Sequence, residues 1–265
     1  MLKYILFSVC MSRKLSTRKR PERGVHMIKE QLKIEEGIFD HRTMMSLWKM
    51  FNHNIITRLE FIISTGKEAD IYVAEAGSRA EPSRFIVLKI FRYETSGFDK
   101  RVAYMAGDPR FEKVKTGIFD VVNTWCKKEY GNLLVAERAG VHAPKPYYFR
   151  GNILAMGLIG KDDGTPARTL KDTQLDDAGN VLCTVLSDIK RLYDANLVHG
   201  DISEYNILIN HGVPYLIDFG QAVISKHPKA NEFLQRDVTN LLSYFSRKYR
   251  IRRDKDAVMK EILGK

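Results

Sequence analysis

The sequence predicts an α+β chain folded in two lobes, a small antiparallel-sheet lobe followed by a larger helical one. Three observations carry that expectation. The run HGDISEYNILINHGVPYLIDFG (His199–Gly220) holds two short apolar segments, Asn206–Ile209 and Pro214–Ile217, joined by a His211-Gly212 turn, and so reads as a hairpin. Upstream, IISTGKEADIY (Ile62–Tyr72) and RFIVLKIF (Arg84–Phe91) read as successive strands of a sheet. Beyond residue 157, helical apolar spacing dominates over Gln174–Tyr193, Lys229–Tyr249 and Asp254–Leu263.

Taken in order, residues 1–24 form a basic tail, and residues 25–54 carry two helices. The second of these opens with Asp40 as N-cap before RTMMSLWKMF, and its Met44, Leu47, Trp48 and Phe51 stripe is expected to pack on the small lobe. Residues 55–156 form the sheet-rich lobe. In its first turn Gly66 allows close backbone approach to a phosphate, and Ser64, Thr65 and Lys67 offer donors. With a single glycine, this is not a G-x-G-x-x-G loop. Lys89 interrupts an apolar strand, where a lysine needs a charge partner. Residues 94–117 are polar and glycine-punctuated, and such a long connection reads as a flap near the nucleotide, with Thr95, Ser96 and Thr116 as candidate phosphorylation sites. Helical spacing then runs over Ile118–Ala139 and stops at Gly140. Glu129 on this helix is the preferred partner of Lys89, with Glu137 as the alternative. Residues 157–265 form the helical lobe, cored by Val181, Leu182, Val185, Leu186, Ile189 and Leu192 of its first helix.

The hairpin brings Asp201, Asn206 and Asp218 to one end of a small sheet. One carboxylate then orients a hydroxyl or water, while an amide and a second carboxylate hold Mg²⁺ against phosphate oxygens. This is how protein kinases divide the work of phosphoryl transfer, with a strand lysine such as Lys89 on the α/β-phosphates. ATP is expected in the cleft at Gly157–Gly160, with Mg²⁺ as its metal. His199 is expected to pack and to hydrogen-bond the loop backbone, taking no part in proton transfer.

The motifs STGKEADIY (64–72), VLKIF (87–91), KKEYGNL (127–133), GLIGKDDGTPA (157–167), LVHGDISEYNILI (197–209) and LIDFGQAV (216–223) resemble those of RIO-type atypical protein kinases, of the type-one subfamily in its short archaeal form. FDHRTMMSLWKM (39–50) and FLQRDVTNLLSYF (233–245) resemble the flanking segments, so the likeness spans roughly residues 25 to 255. The resemblance implies a two-lobed protein-kinase-like fold and serine/threonine kinase and ATPase activity. It makes Lys89 the phosphate lysine, Glu129 its ion-pair partner and Asp201 the catalytic base. Asn206 and Asp218 become the metal ligands, with Asp218 also a possible aspartyl-phosphate, and Gly157 and Ile159 become hinge positions for the adenine. It further implies an assembly factor for the small ribosomal subunit, touching the pre-ribosomal particle and its rRNA.

Only 47 residues follow Asp218, and they contain no A-P-E sequence. That is too little for an activation segment and a peptide-binding subdomain, so the fold is expected to lack both. At 265 residues, 44% hydrophobic and 28% charged, the chain can bury a full core. Cys10, Cys126 and Cys183 are an odd number without metal spacing, which fits a reducing cytoplasm. No run reaches transmembrane length, and MLKYILFSVC lacks a signal-cleavage pattern, so residues 1–10 are read as an early start ahead of Met11. The net charge of +11 favours polyanions. It gathers at the ends, in Arg13, Lys14, Arg18, Lys19, Arg20 and Arg23, and in SRKYRIRRDK (246–255). Two other functions stay open: a small-molecule or tRNA-modification-associated kinase of the aminoglycoside-phosphotransferase-like group, and a non-catalytic scaffold.

Overall fold

A computed structural model describes residues 39–93, 102, 104, 105, 108–111 and 117–264. The basic tail, the first expected helix, Thr95, Ser96, Thr116 and Cys10 lie outside the described residues. Asp40 caps helix α1 (His41–Asn52) by accepting from the Arg42 and Thr43 amides at 2.9 and 3.1 Å. The helix buries Leu47, Met50 and Phe51 on the sheet, with Met44 beside them. Trp48 departs from expectation: it is 47% exposed, because the buried arc is centred on Leu47, Met50 and Phe51 and position 48 is turned away from it.

The first lobe is a five-stranded antiparallel sheet of β1 (Ile56–Thr65), β2 (Ala69–Ala76), β3 (Phe85–Phe91), β4 (Pro146–Arg150) and β5 (Ile153–Gly157), in the order β1-β2-β3-β5-β4. β3 lies at its centre, with Lys89 opposite Ile71 on one side and Leu154 on the other. Alternation decides what faces what. Ile86, Leu88 and Ile90 join the apolar cluster under α1, whereas Val87 and Phe91 join the larger core shared with helix α2 (Ile118–Arg138). Lys89 is in phase with the second set and is therefore delivered to α2.

The second lobe gathers α3 (Ala178–Asp194), α4 (Ala230–Tyr249) and α5 (Lys255–Leu263) around short strands. β8 (Ile207–Asn210) and β9 (Val213–Leu216) form the expected hairpin, with β6 (Arg168–Thr169) alongside, while β7 (Leu197–Val198) pairs with β10 (Val223–Ile224). The six apolar residues expected to core α3 are all buried. The helix begins at Ala178 and not at Gln174, because the Asp177 carboxylate takes the Asn180 amide at 2.9 Å and caps it there. From Asp218 the chain passes through a 3₁₀ turn (Phe219–Gln221) and β10 into α4, and no activation segment intervenes among the described residues. No described helix is long and apolar enough to cross a membrane.

Candidate active site

Lys89 is the centre of the cleft. Its Nζ donates to both Glu129 oxygens, at 2.8 and 2.9 Å, and to Asp218 Oδ1 at 3.0 Å. Glu137, the alternative partner, sits at the far end of α2 in an exposed position. Burial works against the Lys89 charge, but the Asp218 and Glu129 carboxylates outweigh it and hold the ammonium protonated. One ammonium shared by two carboxylates cannot fully compensate both. Glu129, fully buried and close to Asp218, is pushed up to about 7 by burial. Asp218 is also taxed by burial, yet Lys89 wins there and keeps its carboxyl below the usual range.

Asp218 occupies the left-handed region, at φ 64° and ψ 68°, which costs a non-glycine residue about 1 kcal/mol or more. The turn behind it is held from α2: Lys128 donates to the Gly220 and Ala222 carbonyls, and Asn132 to the Phe219 and Ala222 carbonyls. Burial, followed by the nearby Arg110 charge, lowers Lys128 to about 7.

Asp201 stands in the loop before β8. Its Oδ2 accepts from Asn206 Nδ2 at 3.0 Å and from Gln221 Nε2 at 3.1 Å, and Asn206 Nδ2 also donates to the Asp201 carbonyl at 2.8 Å. Burial raises the Asp201 carboxyl, and the Asp218 charge adds to the effect. The loop is fixed from α4, where Asp237 accepts the Gly200 and Ile202 amides at 2.7 and 2.9 Å. Burial pushes Asp237 up to about 7. Arg236 also reaches the Gly200 carbonyl. His199 does what was expected of it: Nε2 bonds the Ile217 carbonyl at 3.1 Å, and the ring packs edge-on to Phe219. Burial lowers it to about 4, so it is neutral at neutral pH.

Ser64 and Thr65 end β1, and Gly66 and Lys67 open the turn to β2, which the Gly66 amide closes on the Ala69 carbonyl at 3.0 Å. At the other rim, the Gly157 amide bonds the Lys145 carbonyl and the Ile159 carbonyl accepts from the Ala167 amide.

The sequence reading missed Lys128, Asn132, Gln221 and Asp237. Lys128, Asn132 and Asp237 left a signal, because each is a polar residue within the apolar face of its helix, where a buried polar group must have partners. Gln221 left none.

Comparison with known proteins gives the family. The RIO domain family matches residues 70–258. The chain belongs to the RIO-type kinases. It is 39% identical over 218 residues to the RIO-type serine/threonine-protein kinase Rio1 of Haloferax volcanii, covering 82% of this chain and 73% of that one. The Rio1 of Methanocaldococcus jannaschii is 37% identical over 83% of this chain and 73% of its own length. The Rio1 of Thermoplasma acidophilum is 41% identical over 69% of this chain and 95% of its own. These archaeal relatives bear out the resemblance to the type-one subfamily. In fold, the RIO chain is similar to the crystal structure of the Rio2 kinase–ADP/Mg²⁺–phosphoaspartate complex from Chaetomium thermophilum, with a TM-score of 0.63 at 20% identity over 91% of this chain and 76% of that one.

Proposed function

We propose that this RIO kinase binds Mg-ATP between its lobes and transfers the γ-phosphoryl group to a serine or threonine hydroxyl, or to water as an ATPase. The observation that carries this reading is the Lys89 ammonium held between Glu129 and Asp218, with Asp201 and Asn206 in the loop that leads into the adjoining hairpin. In this reading Lys89, whose three N–H donors go to Glu129 and Asp218 here, turns from Asp218 to the α/β-phosphates when Asp218 takes the metal, as the protein-kinase template requires. The end of β1 and the turn after it, with Ser64, Thr65, Gly66 and Lys67, cover the phosphates, and Gly157 and Ile159 hold the adenine.

Asp201 aligns the acceptor hydroxyl and takes its proton as the P–O bond forms. Its raised pKa brings it nearer the range useful to a general base. The donor set suits Mg²⁺. Mg²⁺ takes one or two protein oxygens and completes its shell with waters and substrate phosphates. Asp218 is ionised and its side chain is 44% exposed, while Asn206 spends its amide hydrogens on Asp201 and keeps Oδ1 for a cation. Bound there, Mg²⁺ would supply neutralisation of the phosphate charge that builds in the transition state.

The family assignment favours this reading over the aminoglycoside-phosphotransferase-like alternative. The setting we assign to it is the cytoplasm and maturation of the small ribosomal subunit, with contact to pre-ribosomal rRNA. Exposed Arg247, Arg250, Arg252 and Arg253 near the end of the chain support a polyanion partner. Lys248 contributes little there, because its Nζ is committed to the Lys171 and Thr173 carbonyls at 3.0 Å.

Incubation with γ-labelled Mg-ATP, with and without small-subunit precursor particles, separates the outputs. Particle-stimulated phosphate release with little labelled protein marks an ATPase switch, and strong transfer indifferent to particles marks a kinase. Label removed by hydroxylamine locates the phosphoryl group on a carboxylate, for which Asp218 is the candidate.

A further inference from the structure

Two buried side chains on α2 have no part in the chemistry above. Lys128 donates to the carbonyls of Gly220 and Ala222, both at 2.6 Å. Asn132, one helical turn later, donates to the Phe219 carbonyl at 2.8 Å and the Ala222 carbonyl at 3.2 Å. Both are essentially inaccessible. An ammonium is buried only at a cost, and here it is spent on the backbone that directly follows Asp218. The turn is seated hard on the helix, for a Cβ at Gly220 would lie 2.9 Å from Trp125 Nε1. Glu129, next to Lys128, holds Asp218 from the other side through Lys89. Consecutive residues of one helix thus fix both the carboxylate and the following backbone of a residue in the left-handed region. Such a conformation persists only where its surroundings over-determine it.

We propose that Lys128 and Asn132 are positioning residues that set the Asp218 carboxylate for metal, and that Arg110 orients the Asn132 amide for this task. Arg110 donates to Asn132 Oδ1 at 2.9 Å and is itself held by Asp108 at 2.7 Å, so the amide must present Nδ2 to the carbonyls. The assignment rests on the reading of Asp218 as a ligand of the nucleotide's Mg²⁺.

Calorimetric titration of ADP, with and without Mg²⁺, tests it on the wild type, Lys128→Met, Asn132→Leu and Arg110→Gln. The expected result is metal-free ADP affinity within about threefold of wild type throughout, with the Mg²⁺-dependent gain reduced about tenfold or more in the two α2 variants and a few-fold in Arg110→Gln. A merely structural pair would lower the melting temperature and leave the Mg²⁺ gain intact, which would overturn the proposal. A wild type with no Mg²⁺ gain would instead remove the metal-site reading beneath it. Should both α2 variants fail to fold, Arg110→Gln decides alone, because Arg110 is exposed. An undiminished Mg²⁺ gain in that variant overturns the proposal.

Discussion

Replacing Lys89 by methionine keeps the stem of the side chain and removes the charge that Glu129 and Asp218 share. Removing one partner of a buried pair costs about 3–5 kcal/mol when the other stays charged. Glu129 has a cheaper course, because its carboxyl already sits at about 7 and can take up a proton. The cost of Lys89→Met is therefore expected to depend on pH. In both proteins the folded state holds the Glu129 proton more tightly than the unfolded chain does, so the Glu129 contribution falls as pH rises from the unfolded value of 4.5 to the folded one. In the wild type that fall ends near pH 7. In Lys89→Met the folded value is higher still, so stability goes on falling above pH 7 by up to about 1.4 kcal/mol per pH unit. Urea denaturation of wild type, Lys89→Met, and Lys89→Met/Glu129→Gln between pH 6 and 8.5 reads this directly. The double variant removes the stranded carboxylate and is expected to be more stable than Lys89→Met at pH 8.5 and to lose its extra fall above pH 7. A cost for Lys89→Met that is constant from pH 6 to 8.5 refutes the reasoning.

Asp201→Ala is expected to lower turnover by about 10²–10⁴-fold with nucleotide affinity nearly unchanged, because the base is needed in the transition state. Steady-state kinetics beside equilibrium titration checks it, and unchanged turnover removes Asp201 from the role. His199 is buried neutral, with its pKa depressed to about 4 from 6.5. Its contribution is present above pH 6.5 and is lost as pH falls towards 4, by up to about 3 kcal/mol. His199→Gln should therefore lose less stability than wild type between pH 7 and 4.5 in denaturant titrations, and an equal loss contradicts the burial argument. Gly220→Ala places a methyl 2.9 Å from Trp125 Nε1 and is expected to destabilise by about 1–3 kcal/mol, visible as a lowered denaturation midpoint, whereas an unchanged midpoint would mean the helix yields freely.

The fold could be read because its elements advertise themselves by period. The HGD…IDFG hairpin is bounded by apolar strands, and each long helix of the second lobe carries a largely apolar face. The start of α3 was harder to place, since Leu175 and Ala178 continue the apolar spacing and only the Asp177 cap ends it. Trp48 misled because a large apolar side chain at a helix edge looks buried until the sheet is in place. Of the residues taken as chemical groups, Lys89, Asp201, Asn206 and Asp218 stood out in or beside short apolar runs, whereas Glu129 was preferred over Glu137 chiefly through the family resemblance, and the structure brings it to Lys89. Their supports were less visible. Lys128 and Asn132 act on backbone carbonyls far along the chain, and nothing in the spacing of a helix names which carbonyls a buried donor will meet.

The most direct measurement is Mg²⁺-dependent transfer from γ-labelled ATP by the homogeneous protein, scored on serine and threonine, on carboxylate and as free phosphate, with Lys89→Met and a chelator as controls. The account predicts Mg²⁺-dependent consumption of ATP into at least one of these products by the wild type, lost in Lys89→Met and on chelation. A folded wild-type protein that binds nucleotide yet transfers phosphoryl to none of them, water included, would contradict it.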